Sequence, residues 1–125
     1  MIENYISDRI LDCCFKVHKT LGPGLFESVY EEILAYEMSS IDMVFERQKT
    51  LSLTYGDIKV DAAFRADFIV ENKVIIELKS VENILPVHKK QLLTYLKISQ
   101  CKLGLLINFN TELLKDGIHR VVNNL

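Results

Sequence analysis

Residues 65–80 read RADFIVENKVIIELKS, and this stretch sets two carboxylates and a lysine among apolar, strand-forming residues. Residues 62–70 and 73–80 are rich in β-branched and apolar side chains, which predicts two antiparallel strands joined by a tight turn. Asp67 lies on the first strand and Glu77 on the second. The length of the turn between them therefore decides whether the two carboxylates share a face of the sheet.

A three-residue turn, Glu71 to Lys73, makes one face of this hairpin wholly apolar and places all four charged side chains on the other. The apolar face carries Ala66, Phe68, Val70, Val74, Ile76 and Leu78. The other face carries Arg65, Asp67, Glu77 and Lys79, together with Ile69 and Ile75. A two-residue turn would put the two carboxylates on different faces, so we predict the three-residue turn or a bulge with the same effect.

In this register the Cβ atoms of Asp67 and Glu77 are expected ~5 Å apart. Carboxylates that close repel each other unless a cation or a proton lies between them, and Mg²⁺ or Mn²⁺ suits such an oxygen site. Lys79 lies on the same side, where it can orient or deprotonate a water or offset charge on a phosphorane. A solvated face of cross-strand ion pairs is the alternative, but the apolar run at residues 74–76 indicates a buried strand, where unpaired charges are costly.

The rest of the chain predicts helices on both sides of a mixed sheet. Apolar residues at helical spacing predict an amphipathic first helix that ends at Leu21, before Gly22-Pro23-Gly24. Glu27 is expected in the first turn of a second helix, on or beside its inward stripe, where the helix dipole favours a carboxylate. The other predicted elements are strands over residues 44–49, 51–55 and 103–109, a helix over 86–99 and a short edge strand within 117–122.

Length and composition indicate one soluble domain spanning residues 1–125. The net charge of −2 is not that of a protein that coats nucleic acid, so any such contact must come from a local basic patch or a partner. The three cysteines do not match a disulfide framework or a zinc site and are expected to be buried thiols. With no apolar run long enough for a membrane and no signal core at the start, we expect a cytoplasmic protein.

Five sequence motifs follow one another along the chain. They are the lead-in Val17-His18-Lys19-Thr20-Leu21-Gly22-Pro23-Gly24, the signature Gly24-Leu25-Phe26-Glu27-Ser28-Val29-Tyr30 continued by Glu31-Glu32, the aspartate strand Arg65-Ala66-Asp67-Phe68, the E-x-K strand Ile76-Glu77-Leu78-Lys79-Ser80, and the helix motif Gln91-Leu92-Leu93-Thr94-Tyr95-Leu96-Lys97. In order and spacing they resemble the motifs of the GxxExxY family, a branch of the PD-(D/E)xK nuclease superfamily, and the resemblance spans about residues 10–108.

The resemblance implies an α/β, restriction-endonuclease-like fold with an αβββαβ core, and a metal-dependent nuclease acting on DNA or RNA. It implies that Glu27, Asp67 and Glu77 surround Mg²⁺ or Mn²⁺, with the Leu78 carbonyl as an extra oxygen ligand. It also implies that Lys79 is the catalytic lysine, acting with Asp67 and Glu77, and that Gln91 reaches into the site from the later helix.

Two other interpretations stay open at the level of sequence. The chain is alternatively a catalytically silent nuclease-like module that binds a partner, or an accessory that acts with a partner protein. A homodimer would supply two sites for duplex cleavage, although no sequence feature requires one. Tyr30 and Tyr95 are interpreted first as core residues with a hydroxyl partner, and His18 as a satisfied helix histidine.

Overall fold

The computed structural model describes residues 2–125, which form three helices and five strands. A short 3₁₀ turn, Leu114–Gly117, precedes the last strand. The helices are α1 (Ile2–Leu21), α2 (Glu27–Ser40) and α3 (Pro86–Ser99). The strands are β1 (Phe45–Tyr55), β2 (Ile58–Val70), β3 (Val74–Lys79), β4 (Leu103–Asn108) and β5 (Ile118–Val122).

The five strands form one mixed sheet in the order β1-β2-β3-β4-β5. Neighbouring strands are antiparallel except β3 and β4, which are parallel and joined through α3. A parallel pair needs such a crossover, because the chain must return to the starting edge of the sheet. The predicted mixed α/β sheet flanked by helices is confirmed. No helix within residues 2–125 has the length and apolar character needed to span a membrane.

Both faces of the sheet are covered, which explains the near-continuous apolar runs of β3 and β4. On one face α1 and α2 pack over a main core that includes Ile10, Tyr30, Phe68, Ile76 and Leu105. On the other face α3 packs over a second cluster that includes Ala66, Ile69, Ile75, Leu92 and Leu106. Each fully buried aliphatic or aromatic side chain contributes about 1.5–3 kcal/mol relative to exposure.

Gly104 allows α3 to approach β4 closely. A Cβ atom at this position would lie 2.9 Å from Cγ of Leu92, which is closer than packed atoms normally come. The helix begins at Pro86, whose ring suits the first helical turn, and ends where Gln100 adopts a left-handed φ of 64°. The bounds predicted for this helix are therefore confirmed, and the glycine fixes how near α3 lies to the sheet.

The hairpin of β1 and β2 is longer than predicted. One continuous strand replaces the two strands expected over residues 44–49 and 51–55, and β2 begins at Ile58 rather than Ala62. Tyr55 pairs with Ile58 across the turn at Gly56, and the register shifts between Leu51 and Leu53. The prediction failed because residues 58–63 are all exposed. The strand there is held by backbone pairing alone, and the sequence carries no alternation of buried and exposed side chains that would reveal it.

The register predicted for β2 and β3 is confirmed over three pairs: Val70 with Val74, Ile69 with Ile75, and Phe68 with Ile76. The turn contains Glu71 and Asn72, both with positive φ. The next two predicted pairs, Asp67 with Glu77 and Ala66 with Leu78, are absent because the ladder stops at Phe68. Ala66 packs in the α3 cluster instead of facing the main core with Leu78, so its predicted facing is wrong. The two strands separate at Asp67 and Glu77.

Candidate active site

Where β2 and β3 separate, the carboxyl groups of Asp67 and Glu77 accept backbone hydrogen bonds in place of the strand ladder. The backbone N–H of Asp67 donates to Oε2 of Glu77 at 3.2 Å, and the N–H of Leu78 donates to Oδ2 of Asp67 at 2.8 Å. Side-chain oxygens thus accept the bonds that strand carbonyls would otherwise accept. These two hydrogen bonds satisfy the backbone N–H groups of Asp67 and Leu78. They also hold the two half-buried carboxyl groups beside each other at the point where the strands part.

The protonation of this pair differs from that of ordinary carboxylates. Burial, followed by the charge of Asp67, raises the pKa of Glu77 to about 9, while the ammonium of Lys79 acts in the opposite direction. At neutral pH Glu77 therefore keeps a proton unless a cation compensates for its charge. Perturbed carboxyl groups of this kind concentrate at functional sites.

Lys79 ends β3 on the same side as Glu77, and its side chain is half-buried. It forms no ion pair with any carboxylate among residues 2–125. Without a fixed partner among these residues, the Lys79 ammonium is available to a negatively charged ligand. The main chain at Lys79 is fixed, because its carbonyl accepts the N–H of Phe109 at 3.0 Å.

Asn108, which the sequence analysis did not identify, fixes the chain that leaves β3. It pairs with Lys79 across the parallel ladder and is only 1% exposed. Its amide bonds both backbone groups of Val81, accepting at 3.1 Å and donating at 2.9 Å. A buried asparagine at the end of an apolar strand was the available sequence signal, since such an amide requires partners.

Tyr30 holds the loop that leads into α2. Its hydroxyl donates to the carbonyl of Gly22 at 2.6 Å and accepts the N–H of Leu25 at 3.2 Å, while its ring stacks on Phe109 at 4.5 Å. The interpretation of Tyr30 as a core residue with a hydroxyl partner is confirmed. Ser80 then donates to the carbonyl of Leu25 at 2.6 Å, which ties this loop to the residue after Lys79.

Glu27 lies in the first turn of α2, two residues after Leu25, and its side chain is exposed. It therefore lies outside the buried stripe formed by Tyr30 and Leu34. Across the described part of the chain, residues 2–125, no three His, Cys, Asp or Glu side chains form a group able to hold a metal ion. The structure brings Asp67 and Glu77 together, whereas the ligand role of Glu27 stays a prediction.

Helix α3 brings Tyr95 near the carboxyl pair. Burial and the charges of Glu77 and Asp67 raise the pKa of Tyr95, and a hydrogen bond from Gln91 lowers it. Tyr95 also stacks on Phe64 at 4.1 Å, so its ring has a packing role. Gln91 is exposed one turn earlier on the same helix and contacts Tyr95, so its reach into the site stays a prediction.

Gln48 is a second residue that sequence analysis missed. Its Nε2 atom lies 3.3 Å from Oδ1 of Asp67 and also donates to Glu31. Only its place in a β-rich segment was evident from sequence, because the contact depends on how β1 pairs with β2. His18, in contrast, is the satisfied helix histidine that was predicted, with Nε2 2.8 Å from the carbonyl of Thr111.

We expect Tyr30→Phe to loosen the Gly22–Leu25 loop while leaving the aromatic stack in place. Loss of both hydroxyl bonds should lower the free energy of unfolding by about 1–2 kcal/mol. Urea unfolding measures this change, and faster hydrogen exchange at the Leu25 amide locates it. Tyr36→Phe is the matched control because Tyr36 is 69% exposed. Equal stability of Tyr30→Phe and wild type would contradict the anchoring role.

Comparison with known proteins identifies the superfamily of this chain. The family model of the PD-(D/E)XK nuclease superfamily matches residues 4–121, a range that includes both carboxyl groups, Lys79 and all five strands except the last residue of β5. No curated protein and no solved structure matches the chain. Nucleases of this superfamily generally use divalent metals. With a mixed sheet consistent with the restriction-endonuclease-like fold, the chain belongs to the PD-(D/E)XK nuclease superfamily.

Proposed function

We propose that this protein is a metal-dependent nuclease of the GxxExxY family that hydrolyses phosphodiester bonds in DNA or RNA. The observation that carries the proposal is the pair of Asp67 and Glu77 beside an ammonium that has no ion pair among residues 2–125. Carboxylate oxygens and a lysine are the groups that metal-assisted phosphodiester hydrolysis requires.

The donor set fits Mg²⁺ or Mn²⁺. Two adjacent carboxyl groups, one with a pKa near 9, need a proton or a cation between them. Mg²⁺ is commonly held by one or two carboxylates, with water and substrate phosphate in the other positions, so a third acidic ligand is not essential. Asp67 and Glu77 would hold the ion, and the proposal adds Glu27 and the Leu78 carbonyl as further oxygen donors. A bound divalent cation supplies a Lewis acid that offsets charge developing on the phosphoryl oxygens.

The chain's own residues supply the remaining parts of the reaction. Lys79 would orient or deprotonate the attacking water, or stabilise charge on the phosphorane. Gln91 would position that water from α3, and Tyr95, which lies near the carboxyl pair and contacts Gln91, would orient its amide. The loop fastened by Tyr30 and Ser80 would present Glu27 near the end of β3.

A nuclease-like binding module is the second candidate. The net charge of −2 favours it, because the chain lacks the basic balance of most nucleic-acid-binding domains. Against it stands the energetic cost of keeping two carboxyl groups side by side in a half-buried site. The proposal also includes a cytoplasmic location, supported by three buried free thiols that suit a reducing compartment. A homodimer or a partner protein would enlarge the substrate surface.

Cleavage and binding measured in parallel separate the two candidates. We expect single-stranded DNA, duplex DNA or RNA to be cut in millimolar Mg²⁺ or Mn²⁺ and to stay intact in EDTA. The chain has no tryptophan, so Phe26→Trp, at an 82% exposed position before Glu27, provides a single fluorescent reporter of binding. A fluorescence change without cleavage of any substrate would favour the binding module. Absence of Mn²⁺ binding by calorimetry at millimolar metal would remove the main support for the nuclease.

A further inference from the structure

Gln48 has an unusual backbone conformation directly opposite Asp67. Its φ angle is 49°, in the left-handed region that residues other than glycine rarely adopt. The β1 residues on either side of Gln48 pair with the β2 residues on either side of Asp67. Backbone strain persists where surrounding contacts enforce it, and it concentrates at functional sites.

The amide of this strained residue reaches the site. Gln48 Nε2 lies 3.3 Å from Oδ1 of Asp67, while Oδ2 of Asp67 accepts the N–H of Leu78 at 2.8 Å. Both oxygens of Asp67 are thus oriented by donors, and each retains a lone pair for a cation. The amide is neutral, so it orients Asp67 without competing with a cation for its charge.

Glu31 holds the amide from the other side. It lies one turn after Glu27 on α2 and accepts from the second N–H of Gln48. Arg47 fixes Glu31 in turn, with Nη2 and Nε at 2.8 and 3.3 Å from its Oε2 atom. The Glu31 side chain is only 14% exposed, so this contact is shielded from water. A continuous set of hydrogen bonds therefore runs from the start of α2 to Asp67.

We infer that Gln48 is a positioning residue of the site: its strained backbone aims the amide that holds Asp67 for cation binding, and Glu31 fixes that amide. The inference rests on the proposed nuclease function and extends it to a residue that touches neither metal nor substrate. It requires that relief of the strain stabilise the fold while weakening the site, a combination that a purely structural residue would not produce.

Gln48→Gly, compared with Gln100→Gly, tests the inference. Gln100 is also a left-handed glutamine, with φ 64°, but it is exposed at the end of α3. Glycine adopts positive φ without steric cost, so both variants should unfold at a urea concentration equal to or above that of wild type. Only Gln48→Gly should weaken Mn²⁺ affinity, by about 10- to 100-fold in calorimetry, as loss of a residue that orients a ligand commonly does.

Kinetics provide a second measurement on the same variants. For Gln48→Gly we expect kcat to fall by a similar factor while KM changes less than about threefold, since the amide does not contact substrate. Gln48→Asn tolerates the left-handed backbone but carries a shorter amide, and it should show the same direction of change. It keeps the test available if the glycine variant does not fold.

Two results would overturn the inference about Gln48. One is wild-type Mn²⁺ affinity and kcat in a folded Gln48→Gly protein. The other is a loss of affinity that only follows a lowered urea midpoint in both Gln48 variants, because that pattern describes general destabilisation. A wild-type protein that neither binds Mn²⁺ nor cleaves nucleic acid would instead refute the proposed function, and the inference would fall with it.

Discussion

Lys79→Ala is expected to abolish most cleavage, with a loss of about 10²–10³-fold in the single-turnover rate. Lys79 is half-buried on the same strand as Glu77, and its ammonium forms no ion pair within residues 2–125, so it is available to act on substrate. For the same reason its removal strands no carboxylate partner, and the fold should survive.

The assay for Lys79→Ala follows cleavage at saturating Mg²⁺ and substrate, with circular dichroism to establish folding. Lys73→Ala is the matched control, because Lys73 is exposed in the turn between β2 and β3. Lys79→Arg retains the positive charge but cannot serve as a base, so partial activity would assign an electrostatic role. A folded Lys79→Ala protein with the wild-type rate would exclude Lys79 from the reaction.

Glu77→Gln should have opposite effects on stability and activity. The pKa of Glu77 in the folded protein, about 9, lies above its ordinary value of 4.5. The stability contributed by protonated Glu77 is therefore fully present below about pH 4.5 and is lost as pH rises through about 9. Glutamine resembles the protonated acid at every pH, so the metal-free variant should be more stable than wild type at pH 8, by on the order of 1–3 kcal/mol.

The pH dependence makes the stability prediction for Glu77→Gln specific. Urea unfolding in EDTA should give nearly equal stabilities near pH 4.5, with the advantage of the variant growing toward pH 9. Glu112→Gln, the same change at an exposed carboxyl group, should show no such trend. A variant that is less stable than wild type at pH 8 would contradict the raised pKa of Glu77.

The same substitution should remove activity, because glutamine is a neutral and weaker ligand for a hard cation. We expect a loss of at least about 10²-fold in cleavage. Millimolar Mn²⁺ should raise the thermal midpoint of wild type, since a ligand that binds only the folded state stabilises it, and should leave that of Glu77→Gln unchanged. Equal cleavage by both proteins would show that Glu77 is not a ligand.

The local pattern of apolar and polar residues predicted those parts of the fold that depend on residues close together in the sequence. The three pairs between β2 and β3 followed from keeping apolar side chains on one face, and the bounds of α3 followed from Pro86 and its apolar spacing. The buried strand β4 followed from an unbroken apolar run. In each case burial of one face, or of both, leaves a single arrangement that keeps charges out of the core.

The unpredicted parts depend on residues distant in sequence. Ala66 changes face because the carboxyl groups of Asp67 and Glu77 accept backbone bonds and end the ladder, which no periodicity signals. Gln48 acquires its role only when β1 lies beside β2. Glu27 was expected on or beside an inward stripe, yet helix spacing does not tell whether the first turn extends past the sheet it covers.

A crystal structure of the protein soaked in millimolar Mn²⁺ tests the central claim most directly. The anomalous signal of manganese locates the ion independently of water and other cations. We predict a peak within about 2 Å of carboxylate oxygens from both Asp67 and Glu77. A well-ordered site with no peak between these two residues, under conditions in which wild type cleaves nucleic acid, would contradict it.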